Sequence, residues 1–372
     1  MSAYPGFSVV HLAMRRETTL LSIGSGVLYR RNENYYIVTA WHNLTGRHSE
    51  TLRPISLTMG VPNNLVASIA QLFQTPQGRG SGRIPFIIPI EDSTNAKYFV
   101  HPLGWPRIDV AVIPIDPYET YDCDFRTIDG PISAKMTMMG ETDGGIGQVI
   151  QPIQDCIGSF GRIAIQADKL IYPGDELFVL GYPRGITDYS LEPIWKRATV
   201  ASDPQSGWNK ESKFIIDCTS RDGMSGAPVI SFSKTGRIQV GGMVHIGDGP
   251  SAFLQGIYVG RVIDSSSRAE DRFFEAQIGT VWKQAVIDEI IDAQTFGVHS
   301  NEIGSTPQRI DEAVRDAWPE DEHYSPKVLD NQGYLWLIVD EVLKKLNGNA
   351  NPEEVKESVI RFANTFQQSN IR

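Results

Sequence analysis

Short apolar runs separated by charged or glycine turns fill this chain up to about residue 265, and beyond that point apolar positions recur at helical spacing. Residues 9–12, 18–23, 26–29 and 35–40 are rich in β-branched or aromatic side chains, which predicts strands. The stretch 30–34 reads as the turn of a hairpin. Residues 176–183 predict a further strand after a turn at Tyr172-Pro173-Gly174-Asp175. Residues 194–201, 214–218, 228–232, 238–245 and 256–263 continue at short, regular intervals, the rhythm of an all-β barrel or sandwich. Gln77-Gly78-Arg79-Gly80-Ser81-Gly82-Arg83 lacks the ending of a phosphate loop and reads as a flexible surface loop. Residues 120–170 are less legible.

The helical pattern starts with Ile278, Val281, Trp282, Ala285 and Val286, which predict a closing helix near 278–294. Thr306-Pro307 suits a helix start ahead of Ile310, Ala313, Val314 and Ala317. The apolar stretch 335–346 stops at Asn347-Gly348. Asn351-Pro352-Glu353-Glu354 then caps a last helix with Val355, Val359, Phe362, Ala363 and Phe366 on one face. The expected organisation is a β-rich body over 1–298 and a helical extension over 299–372, with the boundary in the loop around 297–305.

The 372 residues carry a formal net charge of −10, and no basic run is dense enough to track phosphates, which argues against nucleic acid as a partner. No apolar run reaches membrane-spanning length, and residues 1–20 lack the order of a signal peptide. Cys123, Cys156 and Cys218 are odd in number and widely spaced, fitting neither a disulfide framework nor a zinc site. Reduced core thiols in a cytoplasmic protein are expected, with no metal or cofactor. Asn43-Leu44-Thr45 matches a glycosylation sequon and is taken as chance, because a glycan there would obstruct the neighbouring His42.

The chemistry centres on Gly223-Met224-Ser225-Gly226-Ala227-Pro228-Val229, a serine between glycines ahead of an apolar run. A serine hydroxyl becomes a nucleophile when a base takes its proton and backbone N–H groups receive the developing charge. His42 follows a strand in Thr39-Ala40-Trp41-His42, and Asp109 heads another in Ile108-Asp109-Val110-Ala111-Val112. Alone, each has a bland reading, as a structural histidine, a turn residue and a tight turn. Ordered His42, Asp109, Ser225, they read as base, orienting carboxylate and nucleophile.

In that order and context, with Gly24-Ser25-Gly26-Val27-Leu28 and Gly181-Tyr182-Pro183 in addition, the sequence resembles the trypsin-like serine peptidases, nearest in style to the bacterial protease Do-like branch. The motifs cover residues 8–294, and the helical extension has no counterpart in the family. The resemblance implies a mainly β fold of two six-stranded-type antiparallel β-barrels, followed here by helices. It also implies a peptide-bond hydrolase with His42, Asp109 and Ser225 as its triad, the N–H groups of Gly223 and Ser225 as oxyanion hole, and a protein or peptide as substrate. The residue directly before Ser225 raises a question. Many digestive relatives carry aspartate where Met224 stands and order this loop with a newly cut N-terminus, which a methionine cannot pair. Asn43 stands where secreted relatives often have cysteine.

Thr219, Ser220, His245 and Gly247 are the pocket residues the resemblance implies. His245 either meets a Glu or Gln side chain before the cut or is held by backbone beside the triad. The helical extension either packs on the barrels or docks a protein regulator. Two other functions stay in view, a latent peptidase fold used as a binding module and an esterase. The esterase pattern Gly-x-Ser-x-Gly fails because Ala227 follows Gly226.

Overall fold

Alternation along residues 9–40 is resolved into two opposite faces, each buried in a different core. Val10, Leu12, Leu28 and Ile37 enter one core, while Val9, Val27, Tyr29 and Val38 enter another. Successive side chains on a strand point to opposite faces, so a sheet clothed on both sides buries every position. The computed structural model describes all residues except 1–3, 57–59, 76–77, 106, 128–129, 142–146, 157–170, 220, 241–242, 248, 262–276, 319–330 and 370–372.

The first lobe holds β1 (Val9–Arg16), β2 (Thr19–Arg31), β3 (Asn34–Thr39), the short helix α1 (Trp41–Thr45), β4 (Asn64–Thr75), β5 (Gly78–Pro89), β6 (Phe99–Val100), β7 (Ala111–Ile115), β8 (Thr120–Thr127), β9 (Gly130–Thr137), β10 (Gly140–Glu141) and β11 (Gly147–Ile150). They form one sheet in the order β6-β7-β3-β2-β1-β4-β5-β8-β9, with β11 beside β4 and β10 beside β11. This lobe carries more strands than the six expected. The extra ones come from the stretch where the sequence was least legible and from 78–83. That glycine-rich segment is no loop. It lies in β5 and pairs with β4 from Thr75↔Gly78 to Asn64↔Pro89, because a long antiparallel partner supplies the ladder its own side chains do not signal.

The second lobe is a closed six-stranded barrel, β12-β13-β14-β19-β18-β15. Its strands are β12 (Glu176–Gly181), β13 (Ile194–Val200), β14 (Lys213–Asp217), β15 (Ala227–Ser233), β18 (Ser251–Arg261) and β19 (Ile278–Lys283). The hairpin β16 (Arg237–Val240) and β17 (Met243–Ile246) stands apart as a two-stranded sheet, where a single strand was expected over 238–245. The closing helix expected over 278–294 is half strand. Residues 278–283 complete the barrel, and α2 (Gln284–Ala293) begins only after them. Ile278, Thr280 and Val281 are β-branched, and pairing with β14 and β18 overrides their accidental helical spacing.

Helix α2 ties the lobes together. Val286, Ile287 and Ile290 join Val112, Leu180 and Tyr182 in the core between them, each large side chain contributing about 1.5–3 kcal/mol. Tyr29 donates to Asp288 at 2.8 Å, and Arg31 pairs with Asp288 and Asp292.

Helices α3 (Pro307–Ala317), α4 (Gln332–Lys345) and α5 (Pro352–Ser369) surround a core of their own, with Ile310, Val314, Ile338, Val342, Val355 and Val359 buried in it. Both starts read from the sequence are present. Thr306 accepts from the Arg309 N–H, and Asn351 accepts from the Glu353 N–H. No helix among the described residues is long and apolar enough to cross a membrane.

Candidate active site

His42 and Asp109 meet because β3 and β7 are neighbours. Thr39 pairs with Ala111, so the chain leaving β3 and the chain entering β7 lie at the same sheet end. His42 is the second residue of α1, whose last turn closes with Gly46 N–H donating to the His42 carbonyl. The Asp109 carboxylate spans that turn. One oxygen accepts from the His42 backbone N–H at 3.0 Å, and the other sits 2.8 Å from Nδ1. The imidazole is thereby held with Nδ1–H toward Asp109, which leaves Nε2 for another partner. Burial opposes a charged ring, but the Asp109 charge and hydrogen bond outweigh it, so His42 titrates above the usual histidine range.

Ser225 lies between β14 and β15, and residues of the first lobe grip its backbone. Its carbonyl accepts from the Ser25 N–H at 2.9 Å and from the Asn43 side-chain amide at 2.9 Å. Asn43 also donates to Thr39 Oγ1, which in turn donates to the Ser25 carbonyl. Ser25 Oγ donates to the Gly223 carbonyl at 2.8 Å and accepts from the Tyr182 N–H at 3.1 Å. Gly226 has φ +87°, and a Cβ there would collide with the Ser25 carbonyl and Thr39 Oγ1, so only glycine permits this approach.

Two further contacts shape the loop. Arg184 N–H donates to the Asp222 carbonyl at 2.6 Å. In a trans peptide the N–H opposes the carbonyl, so the Gly223 N–H faces away from Arg184. Met224 is fully buried among Leu177, Val179, Phe214 and Tyr258 of the second barrel. The N–H groups of Gly223 and Ser225 have no acceptor among the described residues. The Ser225 hydroxyl donates to the Val259 carbonyl at 3.4 Å.

The strand against the Ser225 loop is β18. Gly226 N–H donates to the Tyr258 carbonyl, and Ala227 pairs with Tyr258. The residues expected to line the pocket are not on this strand. His245 lies on β17, which pairs with β16, and Gly247 donates to Gly236 at the end of that hairpin. Both follow the serine in sequence, but the hairpin is inserted before the strand that returns to it. Thr219 is exposed and donates to Gln277, while Ser220 lies outside the described residues.

Ser25, Thr39, Tyr182 and Arg184 were missed as contributors to the loop, and Asn43 was noticed only as a missing cysteine and a chance sequon. At 7% exposure Asn43 is buried, and its amide is engaged with Thr39 and Ser225, which leaves no room for a glycan in this fold. Cys123, Cys156 and Cys218 are buried free thiols, and burial pushes Cys123 and Cys156 up to about 11.

No protein-family model matches the sequence, and no curated protein does. Among solved structures the chain is similar to a serine endoprotease from Yersinia pestis, at 13% identity over 77% of this chain and a TM-score of 0.35. It spans 62% of the length of that protein. It is similar to the active form of the Rv3671c protease from M. tuberculosis, at 13% identity over 79% of this chain and 83% of that one, with a TM-score of 0.34. Kallikrein-related peptidase 10 is matched at 15% identity over 78% of this chain and 99% of that one, with a TM-score of 0.33.

Proposed function

We propose that this chain is a serine endopeptidase. Ser225 Oγ attacks the scissile carbonyl carbon while Nε2 of His42 takes its proton. The tetrahedral oxyanion is received by the N–H groups of Gly223 and Ser225, a contribution of about 2.7–4 kcal/mol per donor in comparable sites. His42 then gives the proton to the leaving amine, and water releases the acyl group by the same steps. Asp109 keeps the ring oriented and stabilises its charged form. The observation that carries this reading is the two-point hold of Asp109 on His42, at 3.0 Å on the backbone and 2.8 Å on the ring. A carboxylate used for turn capping alone has no need of the second contact.

The latent reading, a peptidase fold serving as a binding module, is favoured by one observation. The Ser225 hydroxyl donates to Val259 rather than to the imidazole. Catalytic hydrogen bonds in ligand-free sites are often long and tighten when substrate arrives, so the endopeptidase reading accommodates it. His245, on which a Glu or Gln preference would depend, lies on β17, whereas β18 is the strand beside Ser225.

A serine-directed fluorophosphonate probe separates the two readings. Labelling of the wild type, absent in Ser225→Ala and strongly reduced in His42→Ala, is the expected result. An unlabelled wild type overturns the endopeptidase reading.

A further inference from the structure

The loop that leads into Asp109 is also the seat of the helical unit. The turn between α4 and α5, residues 347–349, lies against Gly104 so closely that a Cβ on Gly104 would collide with Asn347, and a Cβ on Gly348 with the Gly104 carbonyl. The Trp105 indole N–H donates to Asp340 on α4 at 3.1 Å, and its ring packs on the core of the helical unit. Arg107 then crosses back toward the site. Its Nη2 donates to the Gly348 carbonyl at 2.7 Å, and its guanidinium carbon lies 4.7 Å over the ring of Trp41. Trp41 is 3% exposed, immediately precedes His42, and donates its backbone N–H to the Asp109 carbonyl at 3.3 Å.

We propose that Arg107 is a positioning residue through which the seated helical unit fixes the mutual geometry of His42 and Asp109. This rests on the endopeptidase reading of those two residues. Arg107 adjoins the dyad on both sides without contacting either ring or carboxylate directly. By chain position it is two residues ahead of Asp109, and by side chain it presses on the residue ahead of His42. Its far end is held by a backbone carbonyl that only the docked turn supplies. The charged and titratable groups around it are Tyr98, which itself faces Glu91, and Asp109. Its Nε is buried without a hydrogen-bond partner among the described residues, and burial makes the cation harder to keep. A buried guanidinium with an unpaired nitrogen is a costly filler compared with an apolar side chain, so packing alone does not account for it. The planar group suits the task because it stacks on an indole and donates along its edge at once, which an ammonium does not do.

The test uses the full chain and approaches the contact from both sides. Arg107→Gln removes the link at the dyad, and Gly348→Ala lifts the turn, since Gly348 has φ +66° as well as no room for a Cβ. Two quantities are read on protein that circular dichroism shows to be folded. One is the fluorophosphonate labelling rate of Ser225, and the other is the far-downfield NMR signal of the proton between His42 Nδ1 and Asp109. The expected result is about a tenfold loss of rate in each variant, a broadened downfield signal, and a double variant no slower than the worse single one. If Arg107→Gln does not fold, Arg107→Lys replaces it, with a loss of about threefold expected because the donor survives and the stack does not. Wild-type rates in the variants, or losses that multiply in the double variant, overturn the proposal. An unlabelled wild type overturns the endopeptidase reading and this inference with it.

Discussion

The side-chain amide of Asn43 donates to the backbone carbonyl of Ser225 at 2.9 Å, across a sequence separation of 182 residues. The residue next to His42 therefore holds the backbone of Ser225. The same amide fills the space beside Gly24, where a Cβ would lie 2.7 Å from Asn43 Nδ2. Hydrogen bonds to the Ser225 backbone thus join the two lobes at this point.

Asn43→Ala is expected to lower the labelling rate of Ser225 at least tenfold, because one of the two donors to its carbonyl is lost while His42 and Asp109 remain. Asn43→Asp, which places an acceptor against that carbonyl, is expected to be worse. Urea unfolding should show a cost of about 0.5–1.5 kcal/mol per lost hydrogen bond for the alanine variant, since the Ser25 N–H still donates to the Ser225 carbonyl. Equal rates in all three proteins would remove Asn43 from the site.

Met224 orders the loop by burial rather than by an ion pair. Met224→Leu conserves volume and is expected to cost under about 1.5 kcal/mol with labelling retained. Met224→Asp puts a carboxylate into an apolar core, and is expected to destabilise by several kcal/mol and abolish labelling. Thermal melts and probe labelling of the two variants, side by side, check both statements.

The pH dependence of labelling should follow His42. In the proposed mechanism the neutral ring is the base, so a folded value raised above the ordinary 6.5 moves the ascending limb of the rate to a midpoint above pH 6.5. Asp109→Asn removes the charge and leaves burial, which lowers the value. Its limb should therefore move to lower pH while the plateau rate falls by up to about 10⁴-fold. A rate profile from pH 5 to 9 for the two proteins is the measurement. For stability the sign is the reverse of a carboxylate's. The raised value stabilises the folded chain below the unfolded histidine value, and the gain is lost as pH rises through the folded one.

His11 makes the opposite prediction. It packs edge-on against Tyr182 at 4.8 Å, and burial, assisted by the Arg83 charge, lowers it from 6.5 to about 4. The native ring is neutral where the unfolded one binds a proton. Stability is therefore full above pH 6.5 and is lost as pH falls toward 4, by up to about 3 kcal/mol. His11→Phe should lose less than the wild type between pH 7 and pH 4.5 in thermal melts.

Residues that act on their immediate neighbours were legible. Thr306 and Asn351 mark their helix starts because a cap needs only the next three residues. The β character of 9–40 and 194–232 follows from side-chain type and period. Segment 78–83 was misread because its ladder comes from β4 and not from its own composition. Residues 278–283 were misread because Ile278, Val281 and Trp282 fit a helical spacing until the barrel claims them.

By itself, then, the sequence determined the β body, the helical unit and the order His42, Asp109, Ser225, all properties carried by local period and residue type. Tertiary structure decided which strand stands beside the serine, that Asn43 and Ser25 hold its carbonyl, and that Arg107 reaches the Gly348 carbonyl from beside Trp41. Period tells a side chain which face it occupies. It does not say which distant segment will cover that face, and in this protein the distant segments assemble the site.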